Sequence, residues 1–401
     1  MTKRTFNKQA GAVSLFVVVF AMLLLTVVTV SFLRLMMNDL RQASDTDLSQ
    51  SAYDSAQAGV EDAKRALLRY QAYCATSSAS DCKALAAQLS TDTCNQAVRI
   101  GGVVPGGSGE VPVQSNASST TSASFDQAYT CVTMKLNTED VVGTLTEGSS
   151  KFIPLKAVDA SGNDTGFNEV TISWFDQKDL SSPSQAVSLT NSTTPLGLLK
   201  QTSWPANRPP IVRAQLMQIG SSFKLDSFDT VTSSSQSNAN TLFLYPTRDG
   251  NTSAGFVGRD IRASSATDSP DADEPSDSPL ATRCVASVSS GGYACSITLT
   301  LPEPVGGGNR QGYLRLTPFY KGANFRVTIG NNGTPVFFKA VEPSIDSTGR
   351  ANDLFRRVET RVELTDSSLP LPEAAVDVTT EFCKDFTVTD TKMIPETCSY
   401  N

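Results

Sequence analysis

The residues best equipped for chemistry in this chain of 401 residues are its eight cysteines: Cys74, Cys82, Cys94, Cys131, Cys284, Cys295, Cys383 and Cys398. An even count, with none in a Cys-x-x-Cys spacing, fits oxidation to disulfides better than metal ligation. Pairing each cysteine with its neighbour along the chain is the simplest scheme: Cys74–Cys82, Cys94–Cys131, Cys284–Cys295 and Cys383–Cys398. Sequence alone leaves other connectivities open. Cys284 and Cys295 flank Ser289-Ser290-Gly291-Gly292, whose composition suits a hairpin turn. Cys383–Cys398 would tie down a chain end that otherwise frays.

Other chemistries find little support. There is no histidine, which removes the usual general base of serine and cysteine hydrolases and the commonest metal ligand. Carboxylates are plentiful, but no pair at a fixed spacing marks a glycosidase site. Dinucleotide-binding and P-loop glycine patterns are absent. Asp268, Asp271, Asp273, Glu274 and Asp277 form an acidic run interrupted by prolines. Its spacing fits no EF-hand, so it reads as a solvated acidic loop. The expectation is a protein that is no enzyme and holds neither cofactor nor metal.

All eight cysteines lie downstream of an apolar run. Residues 12–33 read AVSLFVVVFAMLLLTVVTVSFL, with no charge between Lys8 and Arg34. At about 1.5 Å per residue such a helix spans about 33 Å, enough for a hydrocarbon core of ~30 Å. It is longer than the core of a cleaved signal peptide. Residues 1–11 form a basic leader with Lys3, Arg4 and Lys8, which the positive-inside rule places in the cytoplasm. The cysteines place the C-terminal side in an oxidising, extracellular setting.

Beyond Arg34 the sequence turns polar but keeps a helical period. Ala52, Ala56, Val60, Ala63, Leu67 and Tyr70 recur every three or four residues as an apolar packing stripe. No proline occurs in residues 1–104. Residues 34–75 therefore read as an extracytoplasmic continuation, within one helix from about 12 to 73 or as a second helix that packs on its own domain. Residues 76–131 form a Cys-containing region with a Gly/Ser-rich stretch, and residues 132–401 a β-rich extracellular head. Strand alternation is visible at Val170, Ile172 and Trp174; at Ile297, Leu299 and Leu301; at Leu314 and Leu316; and at Phe325, Val327 and Ile329. In RRVETRVEL, Val358, Val362 and Leu364 share one face, and Arg357, Glu359, Arg361 and Glu363 the other. The fold class is α+β: a long N-terminal transmembrane and amphipathic helix, then a large disulfide-bonded β-rich head. The net charge is −7. The leader is basic, so the remainder is more acidic still, which disfavours nucleic acid as a partner.

The segment KQAGAVSLFVVVFAMLLLTVVTVSF, followed by LSQSAYDSAQAGVEDAKRALLRY, resembles the N-terminal helix of type IV pilins, and most closely the PilX-like minor pilins. The patch Ala56-Gln57-Ala58-Gly59-Val60-Glu61-Asp62-Ala63 resembles one that closes the exposed half of that helix. The resemblance covers about residues 8–70. It implies leader-peptidase cleavage between Gly11 and Ala12. It also implies partners among other pilin subunits and the pilus assembly machinery, with membrane lipid around the helix before assembly. Major pilins place a glutamate at the fifth mature position, where this chain has Phe16, so a minor or tip subunit is the closer match. The expected role is in filament assembly and in surface adhesion or motility, with a host-cell or matrix surface as a further partner. A single-pass anchored surface-binding protein that joins no filament is the alternative.

Overall fold

Absence of proline and a continuous apolar period produce one helix, α1, Ala10–Cys74, of roughly 100 Å by its rise per residue. Hydroxyls within it turn inward to the backbone: Thr26 Oγ1 donates to Leu23 O at 2.8 Å and Thr29 Oγ1 to Leu25 O at 2.9 Å. Polar side chains in an apolar run are thereby satisfied without water. The computed structural model describes residues 10–113, 126–191, 199, 201–220, 240–256, 279–307 and 310–364. These fall into two compact units, and the strands beyond residue 131 are divided between them.

The first unit draws on Met1–Val141, Lys156–Thr165 and Pro335–Leu364. Besides α1 it holds α2, Ala79–Leu89, and α3, Gln96–Ile100. Ser78 caps α2 by accepting from the Asp81 amide at 3.3 Å. An antiparallel sheet runs in the order Val111–Pro112, Gln127–Lys135, Ser344–Ala351, Leu354–Arg361. The strand Ser344–Ala351 alternates cleanly. Ile345, Ser347, Gly349 and Ala351 are buried, and the residues between them are not. The buried faces of α1 and the sheet enclose a core of Val60, Leu67, Leu89, Val98, Tyr129 and Ile345. Val358, Val362 and Leu364 pack against that core, while Arg357 and Glu359 face solvent.

The second unit draws on Val142–Leu155 and Gly166–Thr334 and is built of two sheets. One is five-stranded, in the order Leu280–Arg283, Thr241–Thr247, Ile211–Gly220, Arg310–Phe319, Lys151–Leu155. The other sets Ala323–Asn331, Gly166–Asp176, Tyr293–Gly306 and Ser253–Gly255 side by side. Each sheet has one fully buried face, carrying Ile172, Trp174, Ile297 and Val327 in one and Ala214, Leu216, Leu244 and Leu314 in the other, the pattern of a β-sandwich. The successive strands Arg310–Phe319 and Ala323–Asn331 belong to different sheets. The corner between them puts Tyr320 at φ 78°, and a Cβ on Gly322 would meet Leu145 O at 2.5 Å. The fold is thus α+β: a long apolar N-terminal helix followed by β-rich structure with disulfides.

Candidate functional site

The helix α1 changes character along its length. From Leu15 to Leu40 its large apolar residues all face outward: Phe16, Phe20, Leu24 and Phe32 are each more than 60% exposed. Among the described residues this is the one helix long and apolar enough to cross a membrane, and none of its apolar window is buried. Gly11 and Ala12 lie in its first turn.

From Ala52 onward one face of the same helix is buried against the sheet of the first unit. The six stripe residues Ala52, Ala56, Val60, Ala63, Leu67 and Tyr70 are all buried. The structure adds three that sequence reasoning missed, Ser55, Gly59 and Ala66. Helical spacing of three and four now describes a wider band. A glycine in a helix costs about 1 kcal/mol against alanine, a cost that signals a packing reason when the helix forms regardless.

That reason is the close approach of sheet side chains to the helix backbone. A Cβ on Gly59 would stand 2.4 Å from Ser347 Oγ and 2.7 Å from Val132 Cγ2. Across the seam, a Cβ on Gly349 would stand 2.2 Å from both Ala52 O and Ala56 N. Between these two contacts Ser347 Oγ donates to Ala56 O at 2.7 Å. Gly349 thus lets the strand's main chain approach the helix main chain, Gly59 makes room on the helix for sheet side chains, and the alanines and Ser55 keep the rest of the seam thin. As the helix number rises from 52 to 59 the strand number falls from 349 to 347, so the strand runs antiparallel to α1.

Polar residues lock the edges of the seam. The Tyr129 hydroxyl donates to Asp62 Oδ2 at 2.8 Å, and Arg65 donates to Asp62 Oδ1 at 2.7 Å. Burial first, and then the Asp62 carboxylate, drive the Tyr129 phenol far above its ordinary range. Burial also raises Tyr70. Asn95, in the left-handed region at φ 61°, is buried and fully used. Its Nδ2 donates to Gly109 O and Thr130 O, and its Oδ1 accepts from the Val132 amide. Arg350 sits between Glu110 and Asp126.

Disulfides pin the same region. Cys74–Cys82 joins the end of α1 to α2, and Cys94–Cys131 ties the residue before Asn95 to the sheet. In the second unit Cys284–Cys295 closes the Ser289–Gly292 turn, where Gly292 N donates to Ser289 O at 2.9 Å. Cys383 and Cys398 lie outside the described residues, as does the acidic run Asp268–Asp277. Among the described residues no group of three or more His, Cys, Asp or Glu side chains could hold a metal. No family model, no curated protein and no solved structure matches this chain. Its functional reading therefore rests on the helix and on what the helix leaves uncovered. The seam is a packing surface. It fixes the upper half of a long rod to a folded body and leaves the lower half bare, an arrangement suited to anchoring and to helix packing.

Proposed function

We propose that this chain is a minor pilin-like subunit whose N-terminal helix is held first in lipid and then against the helices of other subunits. The observation that carries the reading is the continuity of α1 through the change from exposed large residues to a buried face of small ones. An apolar surface of this extent is unstable in water, at about 25 cal/mol per Å², so something must cover it. Lipid and neighbouring helices are both apolar. Moving from one to the other changes packing more than hydration, and extraction from the bilayer calls for an external motor. The body carried at the upper end, closed by disulfides, is the part turned outward. Phe16 in place of the glutamate of major pilins favours a minor or tip position.

The test is N-terminal mass spectrometry of the protein from its native membrane, with sheared surface filaments analysed in parallel. The reading expects a chain beginning at Ala12, found in both fractions. A chain retaining Met1 or Thr2 and absent from filaments would instead fit a single-pass anchored surface-binding protein.

A further inference from the structure

The five-stranded sheet of the second unit has two unlike faces. On one, Ala214, Leu216, Leu244 and Leu314 are completely buried. The strand register dictates what stands on the other. Arg213 lies between Phe243 and Thr317, and Arg315 lies between Gln215 and Phe152. These side chains, apart from buried Thr317, are half-buried, so this face is neither core nor open surface.

Arg213 is short of a counter-charge among the described residues. Arg213 Nη2 donates to the Thr317 hydroxyl at 3.1 Å, and its guanidinium lies 5.8 Å from the Phe319 ring centre. Arg315 lies 5.2 Å from the Phe152 ring centre. Arg213 Nε is buried without an acceptor, and no carboxylate pairs with Arg213 among the described residues. Burial, and then the neighbouring Arg315, push the Arg213 pKa down. The next cation repeats the pattern. Trp204 stacks on Tyr320 with ring centres 4.2 Å apart and planes 2° from parallel. Arg208, only 5% exposed, lies 5.0 Å from the Trp204 ring centre. Arg208 Nε and Trp204 Nε1 are both buried donors without acceptors. Trp204 belongs to the same apolar cluster as Ile211 and Tyr245, with Phe243 and Phe319 against it. Buried donors and unpaired cations are costly in a folded chain. The orphaned donors of Arg213, Arg208 and Trp204, gathered on one aromatic face, point to an acceptor that arrives with a ligand.

We propose that this aromatic–arginine face binds an acidic carbohydrate, a uronate-bearing chain whose carboxylate pairs with Arg213. The guanidinium fork matches a carboxylate in two parallel hydrogen bonds. Flat aromatic side chains beside it supply the apolar platform on which a sugar ring can lie, with a few fixed polar groups setting orientation. The net charge of −7 for the whole chain works against a densely charged polyphosphate and less against a polymer with one charge per sugar. The inference does not depend on filament assembly. It holds equally for a subunit in a fibre and for a chain anchored alone.

The experiment titrates the full chain, in detergent micelles, with oligogalacturonate and with a neutral galactose oligomer of equal length. Tryptophan fluorescence and calorimetry report binding. Of the two tryptophans, Trp174 is fully buried and donates to Pro210 O, so a change in emission is expected from Trp204. Saturable binding of the uronate and not of the neutral oligomer is expected. R213Q should weaken it by about tenfold or more, the cost of a lost charge-assisted bond, with an unchanged or higher melting temperature. R213K should retain part of the affinity, and R208Q gives a second comparison if R213Q folds poorly. Equal binding of both oligomers, or unchanged affinity in R213Q and R208Q, would overturn the proposal. So would binding of a single-stranded oligonucleotide in place of the uronate, or uronate binding only after Asp268, Asp271, Asp273, Glu274 and Asp277 are neutralised.

Discussion

The two halves of α1 solve opposite problems with one backbone. Between Leu15 and Leu40 the side chains are large, branched and uncovered. Between Ala52 and Tyr70 the buried face is mostly small, with Ala52, Ser55, Ala56, Gly59, Ala63 and Ala66 beside Val60, Leu67 and Tyr70, and the sheet answers with Gly349 and Ser347. Large side chains suit an environment that can mould itself to them, as lipid or a replaceable helix does. Small ones suit a fixed partner reached by direct backbone contact. The difference teaches that hydrophobicity alone does not say where a helix is buried. Residue size along the stripe does.

The contrast is broken most severely at Gly349. Gly349→Val would drive a side chain into the backbone at Ala52 and Ala56, and the first unit should lose about 3 kcal/mol or more, at the upper end of overpacking costs. Thermal unfolding of the full chain in detergent checks this. Asn95→Ala should follow, at roughly 2–3 kcal/mol, because it strips partners from Gly109 O, Thr130 O and the Val132 amide together. Next come Ala56→Leu and Ala63→Leu, at about 1–3 kcal/mol each. Gln57→Leu, on a half-buried position beside the stripe, should cost clearly less in the same melts. Equal losses at all three would mean that the packed stripe is misplaced.

A pH titration sharpens the same seam. The Tyr129 pKa is raised in the fold by burial and by Asp62, against an unfolded value of about 10. Its contribution to stability is fully present below that value and is lost as the pH climbs above it, because only the unfolded chain then releases the phenol proton. Tyr129→Phe should therefore lower stability at neutral pH and flatten the alkaline decline, read from melts between about pH 8 and 11. The smallest effect belongs to the lower half. Leu24→Ala should shift the melting of the folded units by less than about 0.5 kcal/mol, the range of substitutions that touch nothing in the fold.

Much of this arrangement is written locally. The apolar run and the 3.6-residue stripe predict α1 almost to its ends, and alternation exposes the strands around Ile172, Ile297 and Val327. What local pattern cannot carry is the partner. Gly59 is explained only by Ser347 and Val132, and Gly349 only by the helix backbone some three hundred residues earlier. The return of Pro335–Leu364 to the N-terminal unit rests on those same distant contacts, so a reading that keeps residues 132–401 in one head misses it. Ser55 was overlooked because a serine reads as a solvent residue, yet here its hydroxyl turns back to Ser51 O at 2.9 Å and leaves a small, satisfied surface. The arginine-bearing sheet face is likewise a product of register: Arg213 and Arg315 are about a hundred positions apart and meet only because their strands pair.

The most direct test of the split helix is a pair of photo-reactive residues, one replacing Phe20 and one replacing Leu67, irradiated in native membranes. The account predicts that position 20 links to lipid or to a second chain. Position 67 should link only within its own chain, to peptides from Gln96–Ile100 or Gln127–Lys135. Links from position 20 into the protein's own folded units, or from position 67 to another chain, would contradict it.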